Sequence, residues 1–155
     1  MGFPSRIART DEGGIRLLIP APERDLLRRV ALDLGSLLER DADDPALERL
    51  FPPAHDDHEL EREYRDLTRG QLLSGRTKAL ETLCATTDRD VLSADEADAW
   101  LRALNDLRLV LGTRIGVTED LDWDAVHATH PQAHQLAIYG YLSWLQEELV
   151  AASLP

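Results

Sequence analysis

The chain is short of the residues that most often staple a fold or carry chemistry. Cys84 is the single cysteine in 155 residues. No internal disulfide can form, so the fold must rest on its core and needs no oxidising compartment. Lys78 is the single lysine among 17 basic residues, an arginine bias typical of GC-rich bacterial genomes. Acids outnumber bases 29 to 17, which leaves a net charge of -12. A nucleic-acid duplex and a membrane surface are both negative, and binding either requires a local cationic patch that releases counterions. No apolar run approaches the ~20 residues that cross a bilayer. The opening residues, Met1 to Arg6, lack the charged-then-apolar pattern of a secretion signal. The expectation is an acidic, soluble, cytoplasmic protein with no membrane partner. No glycine-rich phosphate loop, no Gly-x-Ser-x-Gly elbow and no His-Glu-x-x-His motif occurs. The expectation is therefore a protein that is not an enzyme and carries no cofactor.

What is present is material for helices. Apolar residues make up 43% of the chain, close to the globular average. The pattern predicts a mainly α fold: a helical bundle of about five helices with a small N-terminal β-hairpin, all in a single domain over 1–155. The hairpin falls at about 5–19 and the bundle at about 23–152. Two short strand-like runs, Arg6 to Arg9 and Ile15 to Ile19, flank the turn Asp11-Glu12-Gly13-Gly14. A lone hairpin is marginal in water, so it must lie on helices. Leu27, Val30, Leu34 and Leu37 recur at steps of three and four and predict a helix over about 23–40. A short helix is expected over about 45–50, with Pro45 in its first turn. A long helical stretch follows over about 57–86, opened by Asp56 and Glu59 at capping-box spacing, and Gly70 and Ser74-Gly75 predict a kink or break within it. Ser93-Ala94-Asp95-Glu96 is a capping box for a helix that ends at Gly116. That helix is lined on one side by Ala97, Trp100, Leu101, Leu104, Leu107 and Leu111 and is apolar almost all round in its second half, so it belongs in the middle of a bundle. A short acidic helix over about 118–126 and a final helix over about 131–152 complete the reading.

Several constellations invite functional readings, each with a plainer alternative. Cys84 lies one turn after Leu80 on the apolar face, where a cysteine behaves as a small inert hydrophobe. As a redox candidate it would need exposure and a lowered pKa. His55, Asp57, His58, His130 and His134, with Asp56 and His127 nearby, are the residues from which a metal site could be built. Their spacing matches no metal motif, and solvated or capping roles explain them better. The expectation is no metal, with a metal-binding module or metal-dependent enzyme as the alternative.

Arg108 sits within an apolar stretch that begins at Asn105, and a buried guanidinium must be paired. The plain reading is an ion pair to a carboxylate on another helix. The functional reading makes Asn105, Arg108 and Arg114 anchors for an acidic ligand or partner. Arg114, six residues after Arg108, points to a different face. Residues 114–126 imitate a helix-turn-helix, yet Glu119, Asp120, Asp122 and Asp124 would face phosphates. The charge argues against this motif as a DNA reader, and direct DNA binding is not expected. Between Glu39 and Asp66 there are 11 acids and 4 arginines, either a solvated face or a docking surface for a basic partner. The apolar helices permit a homodimer, and no heptad run is long enough to require one.

Four stretches carry a resemblance: Asp44-Pro45-Ala46-Leu47-Glu48-Arg49-Leu50-Phe51-Pro52-Pro53-Ala54, then Glu63-Tyr64-Arg65, then Trp100 to Arg114, and the tail Leu142-Ser143-Trp144-Leu145-Gln146-Glu147. Together they resemble an actinobacterial family of uncharacterised proteins, often encoded beside the Clp protease adaptor, that includes oxidation-sensing (AosR-like) regulators. The resemblance spans nearly the whole chain and implies a non-enzymatic, redox-linked transcription regulator acting through a protein partner such as a sigma factor or the transcription machinery. Sensing through an internal disulfide needs two cysteines. A thiol switch here would be Cys84 pairing between chains, or its sulfenic acid or a mixed disulfide.

Overall fold

A computed structural model describes residues 4–41, 43–51, 58–116 and 131–154, with backbone alone for 58–61, 64–67 and 69. Two short strands, β1 (Ile7–Arg9) and β2 (Ile15–Leu17), pair antiparallel in the register Ile7 with Leu17 and Arg9 with Ile15. Gly13 turns the chain at φ 86°, a conformation that costs glycine no steric strain. The Thr10 hydroxyl accepts from the Gly14 amide and closes the turn. A third strand, β3 (Val91–Leu92), adds to β2 with Ile15 opposite Leu92. This strand is not foreseen from the sequence, because two residues between two helices carry no periodic signal.

Four α-helices follow: α1 (Ala21–Arg40), α2 (His58–Thr86), α3 (Ala94–Ile115) and α4 (Ala133–Ser153). The bundle therefore has four α-helices among the described residues rather than about five. Where a short helix was expected near Pro45 there is a 3-10 turn, Pro45–Leu47, with the Asp44 side chain capping the Ala46 amide. The acidic helix expected over 118–126 lies outside the described residues. The break expected in α2 does not occur, since the helix runs continuously through Gly70 and Gly75. Both glycines are exposed, and a Cβ at either would meet nothing within 4 Å. Packing of Ala79, Leu80 and Leu83 in the core outweighs the weak propensity of two solvent-facing glycines.

The capping box at Ser93 forms as expected: Ser93 Oγ accepts from the Glu96 amide at 3.1 Å, and the Ser93 amide donates to Glu96 Oε1 at 2.9 Å. Gly116 closes α3 in the left-handed region at φ 70°. This helix occupies the centre, touching α1, α2, α4, β3 and the 3-10 turn. Trp100 is fully buried at its heart, with Nε1 donating to Thr86 Oγ1 at 2.7 Å. At Gly112 a Cβ would meet the Tyr139 ring at 3.0 Å, so the missing side chain lets α4 lie close against α3.

Arg24 helps tie the sheet to the bundle. Arg24 donates through Nε to the Ile19 carbonyl, through Nη1 to the carbonyls of Thr87 and Arg89, and through Nη2 to that of Leu17. Carbonyls from the end of β2 and from the α2–β3 loop thus share one cation.

Because α2 is continuous and its glycine surface open, Gly75→Ala is expected to stabilise the fold by about 0.5–1 kcal/mol. Thermal unfolding should show Tm rising by about 2–3 °C. A fall in Tm would mean that the helix is bent there in solution.

Candidate functional site

A largely buried ion pair joins α2 to α3. Asp106, 2% exposed on α3, accepts from Arg76 Nη1 on α2. Arg76 Nη2 donates to the Leu50 carbonyl at 3.1 Å, and the guanidinium lies over the Phe51 ring, 5.7 Å from its centroid. Burial raises the Asp106 pKa, and the hydrogen bond and charge of Arg76 offset this only in part. The pair locks the acidic 3-10 segment to the α2–α3 seam.

The expected buried pair at Arg108 takes a different form. Arg108 is half-buried and donates through Nη2 to Asn105 Oδ1 at 3.2 Å, one turn away on its own helix. Its Nε is buried without a partner among the described residues. The carboxylate paired across helices is Asp106, and its cation is Arg76. Periodicity marks which positions are buried but not which side chain comes from the facing helix, so Arg76 was missed. Arg114 is exposed and lines a small apolar cavity of about 170 Å³ with Val30, Leu37, Val110 and Leu142. Arg108 does not line that cavity.

A second polar cluster was not anticipated at all. Arg6 grips Glu23 with Nε and Nη2, both at 2.9 Å, and the Arg6 amide donates to Glu148 Oε2. The same guanidinium lies 5.8 Å from the Trp144 ring centroid. Its hydrogen bonds hold the Glu23 carboxyl below the usual range. The Tyr141 hydroxyl is buried beside Glu23 without reaching good hydrogen-bond geometry, and burial, then that carboxylate, push the phenol up. Arg6, Glu23, Tyr141 and Trp144 line a cleft of about 420 Å³ with Gly140. The sequence clue was slight: Tyr141 and Trp144 are three apart, while Arg6 and Glu23 come from distant elements.

Cys84 is partly buried on α2 and lines an open groove of about 540 Å³ between α1 and α2. Burial raises its thiol pKa more than the nearby Arg28 lowers it. Of the histidines, His134 is exposed in the first turn of α4. His55, Asp56, Asp57, His127 and His130 lie outside the described residues, and of His58 only the backbone is described. Among the described residues no three His, Cys, Asp or Glu side chains converge as metal ligands. Among them also, no helix is long and apolar enough to cross a membrane.

A four-helix body with a capping sheet, internally paired charges and an open helix–helix groove defines a class: small acidic helical domains. The chain matches the family described as a domain of unknown function (DUF2017) over residues 5–153, and it belongs to that family. It is 32% identical over 135 residues to a putative oxidative stress regulator AosR of Mycobacterium leprae, covering 84% of this chain and 59% of the relative. It is 28% identical over 125 residues to the oxidative stress regulators AosR of Mycobacterium bovis and Mycobacterium tuberculosis, covering 69% of this chain and 57% of each relative. The chain thus spans about three fifths of the length of these curated relatives. No solved structure matches it.

Two outcomes follow from this geometry. Asp106→Ala strands the Arg76 charge and is expected to cost about 3 kcal/mol in urea unfolding, near the low end for a buried pair because Arg76 keeps some exposure. Asp106→Asn, which retains an acceptor, should lose less. Cys84 should react with iodoacetamide more slowly than free cysteine at pH 7, with the rate still climbing through pH 9 as thiolate accumulates. Fast labelling that levels off near neutral pH would contradict the raised thiol pKa.

Proposed function

We propose that this chain is a non-enzymatic regulatory protein, linked to the oxidative stress response, that acts by contacting a protein partner rather than DNA. The observation that carries the reading is the similarity, across most of the chain, to relatives named oxidative stress regulator. The net charge of -12 supports a protein partner over a nucleic acid, because a duplex would repel most of this surface. A component of the transcription machinery, such as a sigma factor, suits the regulator name. Cys84 is the thiol through which oxidation would act directly, as a sulfenic acid or mixed disulfide or by pairing with a second chain. Asn105, Arg108 and Arg114 are candidate anchors for acidic groups on the partner.

Affinity capture of the tagged chain from its native host, with and without peroxide, tests the reading by mass spectrometry. A specific protein should be enriched reproducibly, in an amount that differs between oxidised and unoxidised cells. Repeated captures without any specific protein would remove the proposal, as would a tight gel shift of DNA at physiological salt.

A further inference from the structure

An open groove runs between α1 and α2. Its floor is Ala31 and Leu80, both buried. Its walls are small: Gly35 and Ser36 on α1, Cys84 and Ala85 on α2. Beside them Leu32 is 56% exposed, an apolar side chain of α1 with no core to enter.

Gly35 is the informative residue. It lies in the middle of α1 with an ordinary helical φ, and a Cβ there would meet nothing within 4 Å. Nothing in the fold requires glycine at a position where alanine would stabilise the helix by about 1 kcal/mol. What glycine gives is a shallow wall, over which another helix can approach to the 8–10 Å interaxial distance of close packing. The backbone groups of α1 and α2 are already paired within their own helices, so the walls offer no free edge for a strand. An occupant must satisfy its own backbone, as a helix does.

Charge selects among occupants. Among the described residues, the charged ones lining the groove are Glu39 and Glu81, and no base lines it. Arg28, whose charge reaches Cys84, is engaged by Asp25, Asp88 and Thr87. Lys78, the nearest base on α2, precedes Glu81 by three residues and does not line the groove. A second copy would bring another -12 chain against the same acidic rim. We infer that this groove receives an amphipathic helix of another protein, with small or apolar residues along its buried stripe and arginine or lysine on both flanks. The inference deepens the regulatory reading by naming the contact surface and the chemistry of the partner.

Cys84, the single thiol, lies in the groove and serves as its reporter. The probe is a synthetic helical peptide of about 18 residues, roughly 27 Å long, with a leucine and alanine stripe flanked by arginines. A twin carries glutamates in place of the arginines. At a concentration about ten times its Kd, the arginine peptide should slow iodoacetamide labelling of Cys84 about tenfold by mass action, and less in high salt. The glutamate twin should leave the rate unchanged. Gly35→Leu fills the groove from a position that tolerates a side chain. It should fold with an unchanged or higher Tm and lose the peptide's effect on labelling, while Leu32→Ser should weaken it.

Equal protection by both peptides, or by neither, overturns the inference. So does protection that grows with protein concentration alone, which would make the groove an interface between two copies. The fate of the regulatory reading is read separately in host-cell capture. A partner recovered equally by the wild type and Gly35→Leu keeps that reading and rejects the groove, whereas loss of the partner in Gly35→Leu alone supports both.

Discussion

The architecture depends on holding a carboxylate and its arginine partner together inside a helical core. Asp106 lies on the central helix, and its burial is tolerable only because Arg76 reaches it from α2. The same guanidinium accounts for the Leu50 carbonyl and covers the Phe51 ring. One cation therefore fixes the spacing of α2 and α3 and the position of the acidic turn before α2. Leu47 and Leu50, fully buried, are carried into the core by the segment that Arg76 holds.

Arginine does this work repeatedly. Arg24 gathers four carbonyls where the sheet meets the bundle, and Arg6 joins β1 to α1 through Glu23 and to α4 through Glu148. A planar cation with five donors can serve several acceptors at once, which the single ammonium of lysine cannot match in fixed geometry. These bases are thus consumed internally, while much of the acid excess stays at the surface. The net charge of the molecule is negative because acids outnumber bases 29 to 17.

Local signals were legible and long-range pairings were not. The capping box at Ser93, the terminating Gly116, the hairpin around Gly13 and the apolar stripe of Leu27, Leu34 and Leu37 each depend on residues within a turn or two, and each appears where the pattern placed it. Gly70 and Gly75 misled for the converse reason: local propensity argues for a break, and tertiary packing of the opposite face overrides it. Arg108 was correctly singled out as an arginine in apolar company, but the residue that pairs across helices is its neighbour Asp106. The sequence positions of Arg76 and Asp106 are thirty apart, and no periodicity connects them. The Arg6–Glu23–Tyr141–Trp144 cleft was invisible for the same reason, since it is assembled from three elements at opposite ends of the chain.

The α1–α2 groove shows how one absence can carry more information than a motif. A mid-helix glycine looks, in sequence, like a propensity defect. In the structure Gly35 sits against open space beside an exposed leucine and two glutamates. Burial of Leu32 by a partner would recover transfer free energy that the isolated chain forgoes, and neutralising Glu39 and Glu81 would favour basic occupants over acidic ones. The apolar floor supplies affinity of a generic kind, and the acidic rim supplies discrimination. The thiol between them then gains a meaning independent of its reactivity: an oxidised, bulkier Cys84 would narrow the same space that a helix needs.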